Sequence, residues 1–400
     1  MESDERKFFF RHVAQTSDAP IGLEIDHAEG VTFHTKDGKK VIDLISGIAV
    51  SQLGHGHPEV VDAVKKQAER HMHVMVYGEF IQRPQSALAA RLASLLPKHL
   101  DRIYFVNTGT EANEAALKLA KKSTGRHAFI AFQNGYHGDT QGSLSVTGRD
   151  VYRKPYEPLL PDVHFFPFND DRVLDEITTE TAAVIMEPIQ GEGGVIPADR
   201  EWLHRLRNRC SDTGTLLIFD EIQSGFGRTG RFFAFEHYDL APDILTMGKA
   251  MGGGMPLGGV AASSNLFEAF MYNPPLSHVT TFGGHPVSCA AAESALRVLL
   301  RDQLMDRASD IEALAHEIMH GPGIVELRGR GAMLGLQLCD AETCRRTVRH
   351  CLEEHQILLG WTLHSDSIIR LAPPLTIDLD LFRTCLERIR ETAALFSDPV

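Results

Sequence analysis

The chain has 400 residues, of which 43% are hydrophobic and 23% are charged, as is typical of globular proteins with a sizeable buried core. This length and composition exclude collagen, coiled coils and small disulfide-bonded scaffolds. The net charge of −13, from 40 Lys and Arg against 53 Asp and Glu, repels a phosphate backbone, so we expect no nucleic-acid partner.

The six cysteines include no C-x-x-C pair, which argues against a zinc cage or a disulfide framework. The opening MESDERKFFF lacks the basic and apolar regions of a signal peptide. No window of about 20 residues is free of charge, so we expect no membrane-spanning helix. These features predict a cytoplasmic protein without a membrane partner.

The first predicted elements are strands. Residues 22–46 alternate apolar and polar side chains around turn signals at Glu29-Gly30 and Asp37-Gly38, which predicts a small antiparallel meander. Two helices are then predicted, one over residues 58–70 behind Pro58 and one from Gln85.

The middle of the chain alternates short apolar runs with helical stretches. Runs this apolar suit strands that are covered on both faces, and their alternation with helices implies a mostly parallel sheet flanked by helices. The predicted fold is therefore α/β, with a large domain over residues 56–299. The runs cover residues 102–107, 128–132, 182–188, 215–221 and 258–263.

The remaining residues, 300–400, mix helical stretches with the short strands GAMLGLQL and SIIRLAPP. This pattern predicts a smaller α+β domain formed by both chain ends, because we expect residues 1–55 to pack with it. The sequence contains no internal repeat and no low-complexity linker.

Three polar positions at the ends of apolar runs are candidate site residues, because ligands of open α/β sheets bind at the carboxyl ends of strands. Thr108-Gly109-Thr110 opens a helix that offers backbone N–H groups to a phosphate, although an ordinary capped helix start uses the same residues. Asp220 ends another apolar run. A lone carboxylate at such a position is more often a helix cap than a functional group. Lys249 precedes three glycines, where an amine can become a nucleophile, although a solvated lysine is the usual alternative.

Seven strings together resemble the class III aminotransferases of pyridoxal phosphate fold type I, the group that includes the acetylornithine, ornithine and 4-aminobutyrate enzymes. The match runs in order from about residue 20 to residue 376. The strings are NTGTEANEAALKLA, YHG, EPIQGEGG, DEIQSGFGRTG, ILTMGKAMGGGMPLGG, TTFGGHP and IRLAPPL.

The resemblance implies pyridoxal 5'-phosphate as cofactor and a role for each matching residue. Lys249 would hold the cofactor as a Schiff base and move the proton, and Asp220 would keep the ring nitrogen protonated. Tyr136 would stack on the ring, and His137 is as readily structural as a cofactor contact. The remaining cofactor-binding positions are Thr108, Gly109, Thr110, Glu187, Gln223 and Thr281.

Thr281 resembles the threonine that reaches the neighbouring subunit's cofactor, which implies a homodimer or a dimer of dimers. The implied reaction moves the terminal amino group of an amine or amino acid, of ω-amine, ornithine, acetylornithine, 4-aminobutyrate or lysine type. The acceptor is a 2-oxo acid, expected to be 2-oxoglutarate, in a ping-pong mechanism.

The implied substrate-binding residues are Glu192, Arg370, Asp139 and Tyr77. Glu192 and Arg370 resemble a pair in which the glutamate masks the arginine until a carboxylate arrives. Asp139 departs from the family, which has a carboxylate-binding arginine at this position. Three explanations stay open: another cation replaces that arginine, the donor lacks a carboxylate there, or Asp139 attracts a cationic group. The candidate replacements are Arg149, Arg153 and Lys154.

Other functions find less support in the sequence. Another reaction on the same scaffold, such as an aminomutase or a decarboxylating transaminase, stays open, as does a non-catalytic pyridoxal phosphate-binding protein. The histidines around His55-Gly56-His57 have no ligand-spaced cysteine or carboxylate, so we expect no metal. The strings G-x-S-x-G and G-x-x-x-x-G-K-[ST], typical of hydrolases and P-loop enzymes, do not occur.

Overall fold

The computed structural model describes residues 3–397. Its strands are β1 (Ile25–Glu29), β2 (Thr32–Thr35), β3 (Lys40–Asp43), β4 (Arg102–Val106), β5 (Ala128–Phe132), β6 (Val163–Phe166), β7 (Thr181–Met186), β8 (Ile189–Gln190), β9 (Ile196–Pro197), β10 (Leu216–Asp220), β11 (Ile244–Met247), β12 (Gly258–Ala262), β13 (Ile324–Arg330), β14 (Met333–Leu338), β15 (Ile357–Leu358), β16 (Gly360–Thr362) and β17 (Ser365–Leu371).

The helices of the same range are α1 (Asp4–His12), α2 (Ser46–Ala49), α3 (Pro58–Arg70), α4 (Arg83–Leu95), α5 (Gly109–Thr124), α6 (Gln141–Ser145), α7 (Asp150–Arg153), α8 (Arg172–Glu176), α9 (Arg200–Thr213), α10 (Ser264–Met271), α11 (Pro286–Arg301), α12 (Leu304–Ile318), α13 (Ala341–His355) and α14 (Leu379–Phe396). Of these, α2 is a single turn with left-handed backbone angles. Short 3-10 turns cover Lys154–Tyr156, Ala234–Tyr238 and Lys249–Gly252.

A seven-stranded sheet in the order β4-β12-β11-β10-β7-β5-β6 forms the centre of the molecule. Strands β11, β10, β7, β5 and β6 run parallel, whereas β12 runs antiparallel to both of its neighbours. The predicted α/β class with a mostly parallel sheet is confirmed, and β12 is the exception to the parallel direction. Because β12 is reversed against β4 as well as β11, the carboxyl ends of β4, β11, β10 and β7 lie at one edge.

Burial on both faces explains why these strands are apolar throughout. In β10, Leu217 and Phe219 pack in one core cluster with Trp202 of α9. Ile218, between them, packs in a second cluster with Ala116 of α5. Since successive side chains of a strand point to opposite faces, the helices cover the sheet on both sides.

The chain ends meet in a second sheet of order β1-β2-β3-β15, where Ile42 of β3 pairs with Ile357 of β15 in parallel. A third sheet, β13-β14-β17-β16, is antiparallel and carries Arg370 in β17. On the strength of the β3–β15 pairing we propose, as predicted, that residues 1–55 belong with residues 300–400. No helix in the part of the chain from residue 3 to residue 397 has the length and hydropathy needed to cross a membrane.

Candidate active site

The candidate site lies at the edge of the central sheet where β4, β7, β10 and β11 end. Asp220 is the last residue of β10, and Glu187 follows β7 directly. Lys249 follows β11 after Gly248, and α5 begins at Gly109 behind β4. Four predicted positions that are far apart in sequence therefore meet at one edge.

Asp220 is only 4% exposed and every oxygen of its carboxylate is hydrogen-bonded. Its Oδ2 accepts from Asn113 Nδ2 at 2.8 Å and contacts His137 Nδ1 at 2.8 Å, and its Oδ1 accepts from the Ile222 backbone N–H. Asn113 also donates to the His137 carbonyl at 2.7 Å. His137 thus contacts Asp220, and the carboxylate is fixed in position.

Sequence reasoning missed Asn113. It lies within the quoted string NTGTEANEAALKLA on α5, where a fully buried asparagine facing a strand end could have been noticed as a polar interruption of an apolar helix face. Its contact with Asp220 makes it a positioning residue for the carboxylate.

Lys249 is held in a left-handed backbone conformation, with φ of 47°. Uncommon backbone angles at a non-glycine residue concentrate at functional sites. Burial lowers the pKa of the Lys249 amine below its ordinary value, and the Glu192 carboxylate partly opposes this effect. Nowhere in residues 3–397 does the amine have a hydrogen-bond partner, so it is free to react.

The backbone around Gly109 and Gly248 is close-packed. A Cβ on Gly248 would lie 3.2 Å from Gly109 Cα, and a Cβ on Gly109 would lie 2.8 Å from the side chain of Ile222. Thr108 caps α5 by accepting from Glu111 N, and Thr110 Oγ1 lies 2.8 Å from Thr140 Oγ1. The first turn of α5 therefore offers backbone N–H groups and hydroxyls for hydrogen bonds to a phosphate. The glycines beside it carry no side chain that would block the phosphate.

Glu192 and Arg370 form a buried ion pair, with 2.5 Å between Glu192 Oε2 and Arg370 Nη2. Glu192 also accepts from Leu363 N at 2.9 Å and from Gln223 Nε2 at 3.3 Å. Burial alone would raise the pKa of Glu192, but the charges of Arg370 and Lys249 and these hydrogen bonds outweigh it and lower the pKa below its ordinary value. The carboxylate is therefore ionised, as an exchangeable mask for Arg370 must be.

One buried atom tests whether the site fits pyridoxal phosphate. Gln223 Oε1 is buried and has no hydrogen-bond partner among residues 3–397, although Nε2 of the same amide is bound to Glu192. A ring hydroxyl is a donor that would satisfy it. Together with the free amine of Lys249, the Asp220 carboxylate and the phosphate seat, the residues fit this cofactor, which supplies an electron sink for carbanionic chemistry when bound.

Tyr136 is connected to two acidic residues. Its hydroxyl donates to Asp139 Oδ2 at 2.8 Å, and its backbone N–H donates to Glu187 Oε1 at 3.0 Å. Burial raises the pKa of the Tyr136 hydroxyl, and the hydrogen bond to Asp139 adds to this shift. Burial likewise raises the pKa of Glu187 to about 7, against the charge of His137. The Tyr136 phenol is therefore neutral and donates to Asp139.

Thr281 and Tyr77 lie apart from this group. Thr281 is exposed, next to Thr280, whose hydroxyl accepts from Asn107 Nδ2 at 2.9 Å. Tyr77 is 38% exposed and lines a cavity of about 270 Å³ with Gln85 and Thr280, and Lys249 does not line this cavity. Tyr77 and Thr281 are therefore both exposed, and Tyr77 lines a cavity with Thr280, the residue before Thr281.

His55 has a structural contact. His55 Nε2 lies 2.8 Å from the fully buried Asp43 Oδ2, and Asp43 Oδ1 accepts from two backbone N–H groups. Within residues 3–397 no three His, Cys, Asp or Glu side chains are grouped as a metal site would need.

Comparison with known proteins gives a consistent result. The model of the family "Aminotransferase class-III" matches residues 13–393. The acetylornithine aminotransferase of Methanopyrus kandleri is 42% identical over 91% of this chain and 92% of its own length. A putative [LysW]-aminoadipate semialdehyde/glutamate semialdehyde transaminase of Pyrococcus furiosus is 41% identical over 90% of this chain and 92% of its own. The ornithine aminotransferase of Toxoplasma gondii superposes with a TM-score of 0.89 at 30% identity, covering 98% of this chain and 95% of that structure.

Proposed function

The chain belongs to the class III aminotransferase family, and we propose that it passes the terminal amino group of its donor to 2-oxoglutarate. The transfer of a terminal amino group with pyridoxal phosphate follows from the family and its relatives. The choice of acceptor is our inference, and the observation that carries it is the buried Glu192–Arg370 pair beside Lys249.

The physical argument for 2-oxoglutarate is one of charge. Arg370 is only 4% exposed, so it needs an anion close by at every stage of the reaction. While a donor amine is bound, Glu192 supplies that anion. When a 2-oxo acid enters, its carboxylate can take the place of Glu192 in a two-pronged hydrogen bond with the guanidinium. Such an exchange lets one pocket accept two substrates of different charge.

We propose the following roles for the residues around the cofactor. Lys249 binds it covalently and then moves the proton to and from the reacting carbon, for which its lowered pKa is suited. Asp220, held by Asn113 and His137, keeps the ring nitrogen protonated. Gln223 accepts from the ring hydroxyl, and the phosphate is bound by Thr108, Gly109 and Thr110.

We further propose that two subunits complete each site. The exposure of Thr281 and Tyr77, and the cavity that Tyr77 shares with Thr280, support a contribution from these residues to the partner's site. An active monomer in a sedimentation experiment at assay concentration would contradict this. All six cysteines are free thiols, which suits a reducing compartment such as the cytoplasm.

The test of the acceptor uses the purified protein with added pyridoxal phosphate and ornithine. We expect glutamate to form when 2-oxoglutarate is supplied, with a far smaller yield of alanine from pyruvate, because pyruvate lacks a second carboxylate. Arg370→Gln should lower turnover with both acceptors, because each of them carries the carboxylate that replaces Glu192. Equal turnover with both acceptors in the unmodified enzyme would contradict the proposal.

A further inference from the structure

Of the three cations that could replace the arginine missing at position 139, only one is unpaired. Arg153 forms a salt bridge with Asp150 and lies over the Phe165 ring at 3.8 Å. Lys154 pairs with the same Asp150 at 3.1 Å. Arg149 has no carboxylate within salt-bridge distance anywhere in residues 3–397. A partly buried guanidinium without a counter-charge is a binding group for an anion.

Arg149 is connected directly to the loop that carries the Glu192 contact. Its Nη1 donates to the Leu363 carbonyl at 3.1 Å, and the Tyr152 hydroxyl donates to the same oxygen at 2.9 Å. The Leu363 backbone N–H donates to Glu192 Oε2. Leu363 therefore bridges Arg149 and the carboxylate that pairs with Arg370.

His364 adds an unsatisfied acceptor at the same place. The residue is 8% exposed, and its Nδ1 lies 2.8 Å from the Asn134 carbonyl. Because a carbonyl only accepts, Nδ1 carries the proton and the neutral ring presents Nε2 as an acceptor. Nε2 is buried and has no hydrogen-bond partner in the part of the chain that the structure describes. A donor group on a ligand would satisfy it.

Asp139 is connected to these groups through Tyr136. The Tyr136 hydroxyl that binds Asp139 belongs to a ring 6.2 Å from the His364 ring. The His364 ring stacks on Tyr152 at 5.4 Å, and Arg149 lies 6.0 Å from the Tyr152 ring. Among the described residues, 3–397, only the Tyr136 hydroxyl binds Asp139, through Oδ2, so Oδ1 can accept from a cation.

We propose that Asp139, Arg149, Tyr152 and His364, here called the distal cluster, bind the α-amino acid head of the donor. Arg149 binds the carboxylate of that head, and Asp139 and His364 Nε2 accept from its ammonium. The preferred donors are then diamino acids of ornithine or lysine type with a free α-amine. This assignment rests on the proposed function, because it places the terminal amine of the donor toward Lys249.

Four donors that share a terminal primary amine distinguish the contribution of the far-end ammonium from that of the far-end carboxylate. Ornithine carries an ammonium and a carboxylate at its far end, N-acetylornithine and 4-aminobutyrate carry only the carboxylate, and putrescine carries only an ammonium. We expect kcat/KM for ornithine to exceed that of each of the others by about tenfold, because each of them leaves a binding group unpaired.

Two variants test the cluster against a matched control. R149Q should raise KM for the three carboxylated donors by about tenfold and leave KM for putrescine within about twofold. D139N should reduce the difference in kcat/KM between ornithine and N-acetylornithine. R153Q, which removes a paired arginine from the neighbouring helix, should leave KM unchanged for all four donors.

A binding measurement gives a readout that needs no turnover. Norvaline has the same head as ornithine but no terminal amine, and we expect it to bind the holoenzyme in calorimetry, with an affinity about tenfold lower in R149Q and in D139N. R149K keeps the positive charge but cannot form two parallel hydrogen bonds with a carboxylate, so it should lose part of the affinity for norvaline. This variant replaces R149Q in the measurement if R149Q does not fold.

The inference fails if R149Q raises KM for all four donors alike, or if R153Q changes KM in the same way as R149Q. It also fails if the affinity for norvaline does not depend on Arg149. It also fails if N-acetylornithine is the best of the four donors. Failure of the proposed function looks different: the unmodified holoenzyme would convert none of the four donors with 2-oxoglutarate, while norvaline would still bind through Arg149.

Discussion

The Asp220 carboxylate, in the inner part of the site, and the distal cluster, in its outer part, differ in how their polar groups are satisfied. Both oxygens of the Asp220 carboxylate have hydrogen-bond donors, and Asp220 is almost completely buried. In the distal cluster, His364 Nε2 has no partner, and Arg149 has no counter-charge within residues 3–397. An arrangement complete without ligand holds one geometry, whereas open donors and acceptors at a site entrance are available to a substrate.

This difference separates reaction type from substrate choice. Substitutions in the inner part should affect every donor to the same degree, because every donor uses the same cofactor chemistry. Substitutions in the distal cluster should change the ranking of donors and leave the common chemistry in place. The predictions below test this separation, from the largest expected effect to the smallest.

The largest effect is expected from Lys249→Ala. Removing the amine removes both the covalent attachment of the cofactor and the group that moves the proton, so turnover should fall by roughly four orders of magnitude with any donor. Borohydride reduction of the unmodified holoenzyme, followed by peptide mapping, should label Lys249. A label on a different lysine would show that the site has been misplaced.

Asp220→Ala should keep the covalent cofactor yet lower kcat by about 100- to 1000-fold for all donors, because the ring nitrogen loses its charged partner. Asn113→Ala is the matched control, since it removes only one of the donors that position Asp220. The fall in kcat in Asn113→Ala should be smaller than in Asp220→Ala, and it should likewise be the same for every donor. An unchanged rate in Asp220→Ala would contradict the role of this residue.

The sequence predicted the inner part of the site better than the outer part, and the reason is physical. Lys249, Asp220 and Gly109 each follow an apolar strand, so the parallel sheet brings them to one edge by its own topology. The distal cluster depends instead on a loop from the third sheet, which places His364 against Tyr152. Such a contact between distant segments has no local sequence signal.

The same distinction explains two smaller differences in the fold. Strand β12 is as apolar as its neighbours, and nothing in its sequence reveals its reversed direction, because burial on both faces looks alike for either direction. Asn113 was missed because a single polar residue on a helix has many ordinary explanations. Its role depends on Asp220, which is 107 residues away in the chain.

Glu192→Gln should destabilise the protein by about 3 kcal/mol at pH 7, because Arg370 is left buried without a full counter-charge. The pKa of Glu192 lies below its ordinary value of 4.5 in the folded protein, so its contribution to stability is complete above that value. The contribution is lost as the pH falls through the folded pKa. Urea unfolding of both proteins should therefore show a difference that is largest near neutral pH and shrinks below pH 4.5. A difference independent of pH would contradict an ionised Glu192.

The smallest effect is expected from Asp139→Arg, and it tests the outer part of the site alone. The substitution removes the acceptor for the donor's ammonium and adds a cation that can bind a carboxylate. Preference should therefore shift from ornithine toward 4-aminobutyrate and N-acetylornithine by about 1 to 3 kcal/mol in relative kcat/KM. The Tyr136 hydroxyl also loses its acceptor, so Asp139→Asn, which keeps an acceptor oxygen there, separates that loss from the change of charge. If the unmodified enzyme already used 4-aminobutyrate and N-acetylornithine as well as ornithine, Asp139 would play no part in selecting the donor. Arg149 alone would then supply the carboxylate contact at this end of the site.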